Sequence, residues 1–170
     1  NTVYSYSNPK RKATRYFRNL SEHNIQYGGG WYLAYTGEDE DGVYAVASYD
    51  GTARNVTVPK VLEGYPVRGI TVTNNRIYRI NMQNRVEYIY SCQSAFLRWL
   101  VGCDAVKYIG ARAFQNCVSL KKLPMMENLT TIDTGAFEGC LSLTDIPLGD
   151  NIESISPDAF GWYDVVIGNY

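Results

Sequence analysis

His23 is the one histidine among 170 residues, and its isolation already narrows the chemistry open to this chain. Ser–His–Asp and Cys–His sites need a base beside the nucleophile, and no other imidazole is available to serve. Paired carboxylates can act as acid and base, as in glycoside hydrolysis, so Asp133, Asp145, Glu153 and Asp158 are candidates by type. Their positions read as outward-facing, where charge serves solubility, and no deep cleft is expected. Glu38-Asp39-Glu40-Asp41 offers four consecutive acids, but calcium loops need ligands at alternate positions and further donors. It reads as a solvated hairpin tip. Gly28-Gly29-Gly30 lacks the Lys-Ser/Thr that completes a phosphate cradle, and a strand-like run follows it. Four cysteines, Cys92, Cys103, Cys117 and Cys140, contain no C-x-x-C pair, and one histidine makes a structural zinc site improbable. No catalytic residue, metal or cofactor is expected.

What must position any functional side chain is a repeat. Ala113-Phe114, Ala136-Phe137 and Ala159-Phe160 are spaced 23 residues apart. Around them the apolar residues keep fixed offsets: Leu120-x-x-Leu123-x-Met125 before Leu129-x-x-Ile132, and Leu143-x-x-Ile146-x-Leu148 before Ile152-x-x-Ile155. Weaker copies begin at Ile77 and Leu97. The unit is L-x-x-L-x-L-x(3)-V-x-x-I, and its spacing falls within the roughly 20–29 residues of leucine-rich repeats. One such unit cannot bury its apolar face alone, so the units must stack into a solenoid. L-x-L predicts a short strand with both apolar residues inward, V-x-x-I a second extended piece, and Ala-Phe-x-x-Cys a tight turn or one helical turn. Cys117 and Cys140 share one phase and should stack as buried thiols; Cys92 and Cys103 are out of phase and could pair across one coil.

The fold expected is a mainly β solenoid, a right-handed stack of coils with short strands and one-turn helices behind an N-terminal antiparallel β cap. Residues 1–26 form a separate segment. Asn8-Pro9 reads as a helix start, and Ala13, Tyr16, Phe17 and Leu20 give a helical apolar face opposite Lys10, Arg11, Lys12, Arg15 and Arg18. Within 27–70, Trp31–Tyr35, Val43–Tyr49 and Arg54–Val58 read as an antiparallel meander covering the first coil. The solenoid occupies 71–162, and 163–170 a closing strand. A chain that starts with Asn and carries no leader reads as a processed or excised piece. Net charge −1 argues against general nucleic-acid or membrane adsorption, and no run of 18 apolar residues exists to span a bilayer. Fifteen tyrosines against five phenylalanines suggest a tyrosine-rich β surface.

Solenoids bind along exposed columns rather than in pockets. With the L-x-L residues inward, one outward column reads Arg79, Trp99, Lys122, Asp145, and another Gln83, Cys103, Met126, Gly149. Arg79, Trp99, Lys122, Met126 and Asp145 are therefore the candidate ligand-binding residues, because aromatics and Arg dominate interface energetics.

The phrase Val-x-x-Ile-x-x-x-Ala-Phe-x-x-Cys-x-x-Leu-x-x-Ile-Pro resembles the BspA-like, or Treponema pallidum-type, leucine-rich repeats of bacterial surface and secreted proteins. Tyr49-Asp50-Gly51-Thr52, Val58-Pro59 and Gly64-Tyr65-Pro66-Val67-Arg68-Gly69-Ile70 resemble the segment that introduces such arrays, so the likeness covers about 43–162. It departs between 70 and 105, where Ala-Phe-x-x-Cys is missing, which predicts irregular coils there. The resemblance implies a non-catalytic, adhesion-type protein-binding module at the cell surface or outside the cell. A host or neighbouring-cell protein would be the partner. The alternatives are a structural spacer or assembly domain, and a carbohydrate-binding accessory module using Trp99 and exposed tyrosines.

Overall fold

The computed structural model describes residues 12–13, 29–161 and 166–169. Among these residues fourteen strands follow in chain order: β1 Lys12–Ala13, β2 Trp31–Asp39, β3 Gly42–Tyr49, β4 Asn55–Thr57, β5 Val61–Leu62, β6 Tyr65–Val72, β7 Arg79–Asn81, β8 Tyr88–Cys92, β9 Trp99–Val101, β10 Tyr108–Ile109, β11 Thr131–Ile132, β12 Asp145–Leu148, β13 Ser154–Ile155 and β14 Val166–Asn169. The V-x-x-I segments build the continuous wall. β3, β6, β8, β10, β11 and β13 pair parallel in succession, extended at one end by β2 and β1 in antiparallel register. The L-x-x-L segments build the facing wall from β4, β7 and β9, all parallel. A separate parallel pair, β12 with β14, continues it.

Between the walls lie the columns that the repeat demanded. Ile77, Leu97, Leu120 and Leu143 are buried in one row, and Ile80, Leu100, Leu123 and Ile146 in the next. Phe114 and Phe137 stack with ring centroids 5.3 Å apart and planes 1° from parallel; Phe137 and Phe160 follow at 5.6 Å and 10°. All four cysteines are free and buried. Cys117 donates to the Cys92 carbonyl at 3.4 Å and Cys140 to that of Phe114 at 3.0 Å. Cys92 and Cys103 therefore do not pair.

Ala-Phe-x-x-Cys forms no helical turn. It is a run of four-residue turns in which Ala113, Gln115 and Cys117 donate to Gly110, Arg112 and Phe114 of their own coil. Arg112, Phe114 and Asn116 donate instead to Thr134, Ala136 and Glu138 of the next, each at 2.8 Å. Left-handed residues at Arg112 (φ 57°) and Asn116 (φ 62°) break any helix, and Gly135 and Gly139 repeat them one coil later. Where the phrase is missing the strand runs on: β6 has eight residues and β8 five, against two each in β10, β11 and β13. The 20-residue spacing of that coil thus reflects a corner replaced by strand.

Two further expectations are corrected near the N-terminal end. The meander contains only β2 and β3; β4 crosses to the other wall and pairs parallel with β7, since Val56 occupies the inward place held by Ile80 and Leu100 in the following coils. Within the segment expected to be helical, Lys12–Ala13 pair as a strand with Tyr35 and Thr36, where the outer edge of β2 would otherwise leave backbone groups open. The remainder of that segment, including Tyr16, Phe17, Leu20 and His23, lies outside the described residues.

Five of the nine described tyrosines, Tyr44, Tyr49, Tyr88, Tyr90 and Tyr108, are buried rather than on the surface. In β3, β8 and β10 alternate residues point away from the solenoid interior, and Tyr44, Tyr88, Tyr90 and Tyr108 form a second buried cluster with Val46 there. Each hydroxyl is bonded: Tyr44 with Tyr90 at 2.7 Å, Tyr108 to Asp133 at 2.8 Å, and Tyr88 to Asp39. A polar tip on an apolar ring can be buried when it finds such a partner.

Candidate functional site

The outward column on the L-x-L wall is interrupted. Arg79 lies beside Trp99 in the parallel register of β7 and β9, and Lys122 bridges to Asp145. Nothing pairs Trp99 with Lys122, because β9 is the edge of its sheet. The strand of the next coil shrinks to the single bridge at Lys122, although Pro147, the counterpart of Pro124, lies within the four-residue β12. At the gap the two coils leave a cleft of about 120 Å³ lined by Arg98, Trp99, Ser119, Lys121 and Lys122.

Trp99 is 49% exposed at this cleft, and Arg98, Lys121 and Lys122 are exposed around it. The Arg98 guanidinium lies 5.3 Å from the Tyr78 ring centre, which leaves its N–H edges available. Among the described residues no carboxylate pairs with these three cations. Three positive charges thus gather on a chain whose net charge is −1.

Of the five residues expected to bind a ligand, Arg79, Trp99, Lys122 and Asp145 do lie on this wall. Met126 does not, being buried at 2% exposure. Broken pairing after Lys122 abolishes the two-residue alternation, so the third apolar side chain falls one place later, at Met126 rather than Met125. In the preceding coil Gly102, at φ +68°, turns the chain so that Cys103 is buried in the same way. Arg98 and Lys121 flank the column, and nothing in the repeat pattern marks them.

The opposite wall carries a different electrostatic feature. Arg68 donates to both oxygens of Asp39, at 2.7 and 2.9 Å, and to the Gly42 carbonyl at 3.0 Å. Its guanidinium sits 4.6 Å from the Tyr44 ring centre. Glu87 joins Arg68 at 3.5 Å and Lys107 at 3.0 Å. Burial pushes the Asp39 carboxyl up, but hydrogen bonds from Arg68 and Tyr88 outweigh it and hold it below its usual value. Asp39 is therefore not part of a solvated tip. The shallow depression nearby, which includes Lys107 and Glu153, has its cation already neutralised by Glu87. Asp133 accepts from Tyr108 and from the Thr134 amide, a structural arrangement. No three His, Cys, Asp or Glu side chains converge among the described residues, and no helix there is long and apolar enough to cross a membrane.

Comparison with known proteins accords with this architecture. Residues 86–165 match the model of the BspA type Leucine rich repeat region in six copies. A Leucine Rich Repeat protein of T. pallidum superposes with TM-score 0.61 at 23% identity over 74% of this chain and 62% of its own. A leucine rich cell surface protein from Faecalibacterium prausnitzii A2-165 gives TM-score 0.58 at 17% identity, over 80% of this chain and 38% of its own. The chain thus spans less than two thirds of the length of either structure. Comparison with curated proteins gives no match. The repeat segment at residues 86–165, with its stacked Ala-Phe corners, belongs to the BspA-type leucine-rich repeats.

Proposed function

We propose that this chain is a non-catalytic protein-binding module of a bacterial surface or secreted protein, acting in adhesion through the L-x-L wall. The observation that carries the reading is Trp99, half exposed in the outward column beside Arg79 and facing Lys122 across the gap. An exposed indole flanked by cations has the composition of an interface centre. Stacked coils supply the rigid support that such a patch needs, since rigidity lowers the ordering cost of association. The surface-protein context comes from the family and from the printed description of the F. prausnitzii relative. A carbohydrate module would need coplanar exposed aromatics with flanking acceptors, and the cleft has one aromatic among donors.

The test is capture of extracted surface proteins by the immobilised chain, beside Trp99→Ala and Lys122→Glu. Capture that protease treatment of the extract abolishes, and that both variants lose, supports the reading. Equal capture by all three proteins overturns this wall as the binding face.

A further inference from the structure

We propose that the cleft between β9 and the coil of Lys122 receives an acidic peptide strand, with carboxylates on Arg98, Lys121 and Lys122 and one apolar residue against Trp99. This rests on the protein-binding reading and specifies the chemistry of the partner.

Three observations carry it. The cleft holds three exposed cations and no acidic side chain, and none of the three has a carboxylate partner among the described residues. Its side chains are almost all donors, Ser119 being the exception, so an acceptor-only group such as a carboxylate satisfies them. A neutral sugar hydroxyl, which must also donate, finds little to accept from it.

Among the described residues β9 is also the edge strand of its sheet, with no ladder pairing to the coil of Lys122. A sheet edge offers main-chain groups to an added strand, and side-chain sites beside it select the sequence. An extended peptide uses such an edge; a glycan does not. Finally, large apolar groups are exposed on the same two coils: Trp99 at 49%, Phe96 at 53% and Val118 at 39%. Val118 directly precedes Ser119, and Phe96 lies two residues before Arg98. Cations beside exposed apolar side chains match a peptide that mixes acids with apolar residues.

The geometry also sets the reach. Arg98 and Lys121 sit on the two sides of one cleft, so their partners are carboxylates within a few residues of each other on an extended chain, which advances about 3.3 Å per residue. Alternate positions of a strand share one face, so an acid–x–acid spacing presents both carboxylates to the cleft together.

The experiment is titration of the intact chain with a synthetic peptide alternating Glu with Leu, followed by amide and indole NMR shifts. A Lys–Leu peptide and heparin are titrated in parallel. The acidic peptide is expected to shift the Trp99 indole N–H and the amides of residues 98–101 and 119–122. Its affinity should fall at least about tenfold in Lys121→Glu/Lys122→Glu, whose four-unit charge change acts at contact distance. Raising salt from about 0.05 to about 0.5 M should also weaken it. Arg98→Gln should weaken it less, and unchanged dispersion in the NMR spectrum shows that each variant is folded. Binding of the acidic peptide without shifts at Trp99, or equally by the charge-reversed variant, overturns the proposal. So does binding of heparin alone, which would make the site one for sulfated glycans. Failure here is distinct from failure of the wider reading. If Trp99-dependent capture of surface proteins persists while the acidic peptide neither binds nor competes, the wall binds protein by other chemistry.

Discussion

Replacing Phe137 by Ala removes the central member of a three-ring stack. Its ring is 1% exposed and touches Phe114 on one side and Phe160 on the other. Deleting a buried Phe costs about 3–5 kcal/mol through lost transfer free energy and the residual cavity. Each ring pair adds about 0.5–1.5 kcal/mol beyond area. Losing two contacts places Phe137→Ala at the top of that range, about 5 kcal/mol. Phe114→Ala loses one of these ring contacts and is expected to cost about 1 kcal/mol less. Phe160, half-buried in the last described coil, should cost roughly 2 kcal/mol. Urea unfolding followed by far-UV circular dichroism gives the three values from the midpoints. Phe137→Leu should recover most of the loss, because it refills the space and forfeits only the stacking. Since whole domains are stable by about 5–15 kcal/mol, a loss of about 5 kcal/mol removes a third or more of the total. If Phe160→Ala proves as costly as Phe137→Ala, the rings do not act as an interior column and the stacking argument fails.

Three other outcomes are expected. Gly139→Ala should destabilise by about 1–3 kcal/mol, since the residue sits at φ +78° and an added Cβ would lie 2.2 Å from Asn116 Oδ1. Asn116→Gly in the same chain should return part of this loss, and a double-mutant cycle measures the coupling. Asp39, whose carboxyl titrates below its ordinary 3.8, contributes stability that is complete above that value and lost as pH falls through the folded pKa. Asp39→Asn should therefore flatten the acid limb of the stability–pH curve below about pH 4, as thermal melts at pH 2–7 would read. The buried thiols should resist labelling: burial pushes Cys92 up and Cys103 up to about 12, and the contact with Cys117 together with burial raises Cys140. That same contact lowers Cys117, which is shielded by its burial alone. Ellman's reagent at pH 8 should react only as the chain unfolds, and a fast native phase would contradict the packing.

The interior was largely legible in the sequence, and the exterior was not. Recurrence of Leu120, Leu143, Phe114 and Phe137 at one spacing admits few structures besides stacked coils, because each needs the next for burial. Outward columns depend on single-residue register, which the period does not carry. Met126 and Cys103 turn inside, whereas Met82 and Leu148, one place earlier in their coils, are the buried side chains there. Val56 could be read as a third meander strand until its alignment with Ile80 appeared. The tyrosines misled for a different reason: Tyr88, Tyr90 and Tyr108 have partners for their hydroxyls that lie far away in sequence, so burial could not be inferred locally.

The alternating amides of the Ala-Phe corners have a consequence for how such proteins change size. Since one set of donors serves its own coil and the other serves the neighbour, a complete 23-residue unit inserted between the corners of Phe114 and Phe137 repeats the same bonding at each new junction. A fragment of a unit would strand both sets. Tandem duplication of the encoding DNA in whole multiples is thus structurally silent, and the length of the array is free to follow the distance its owner must reach.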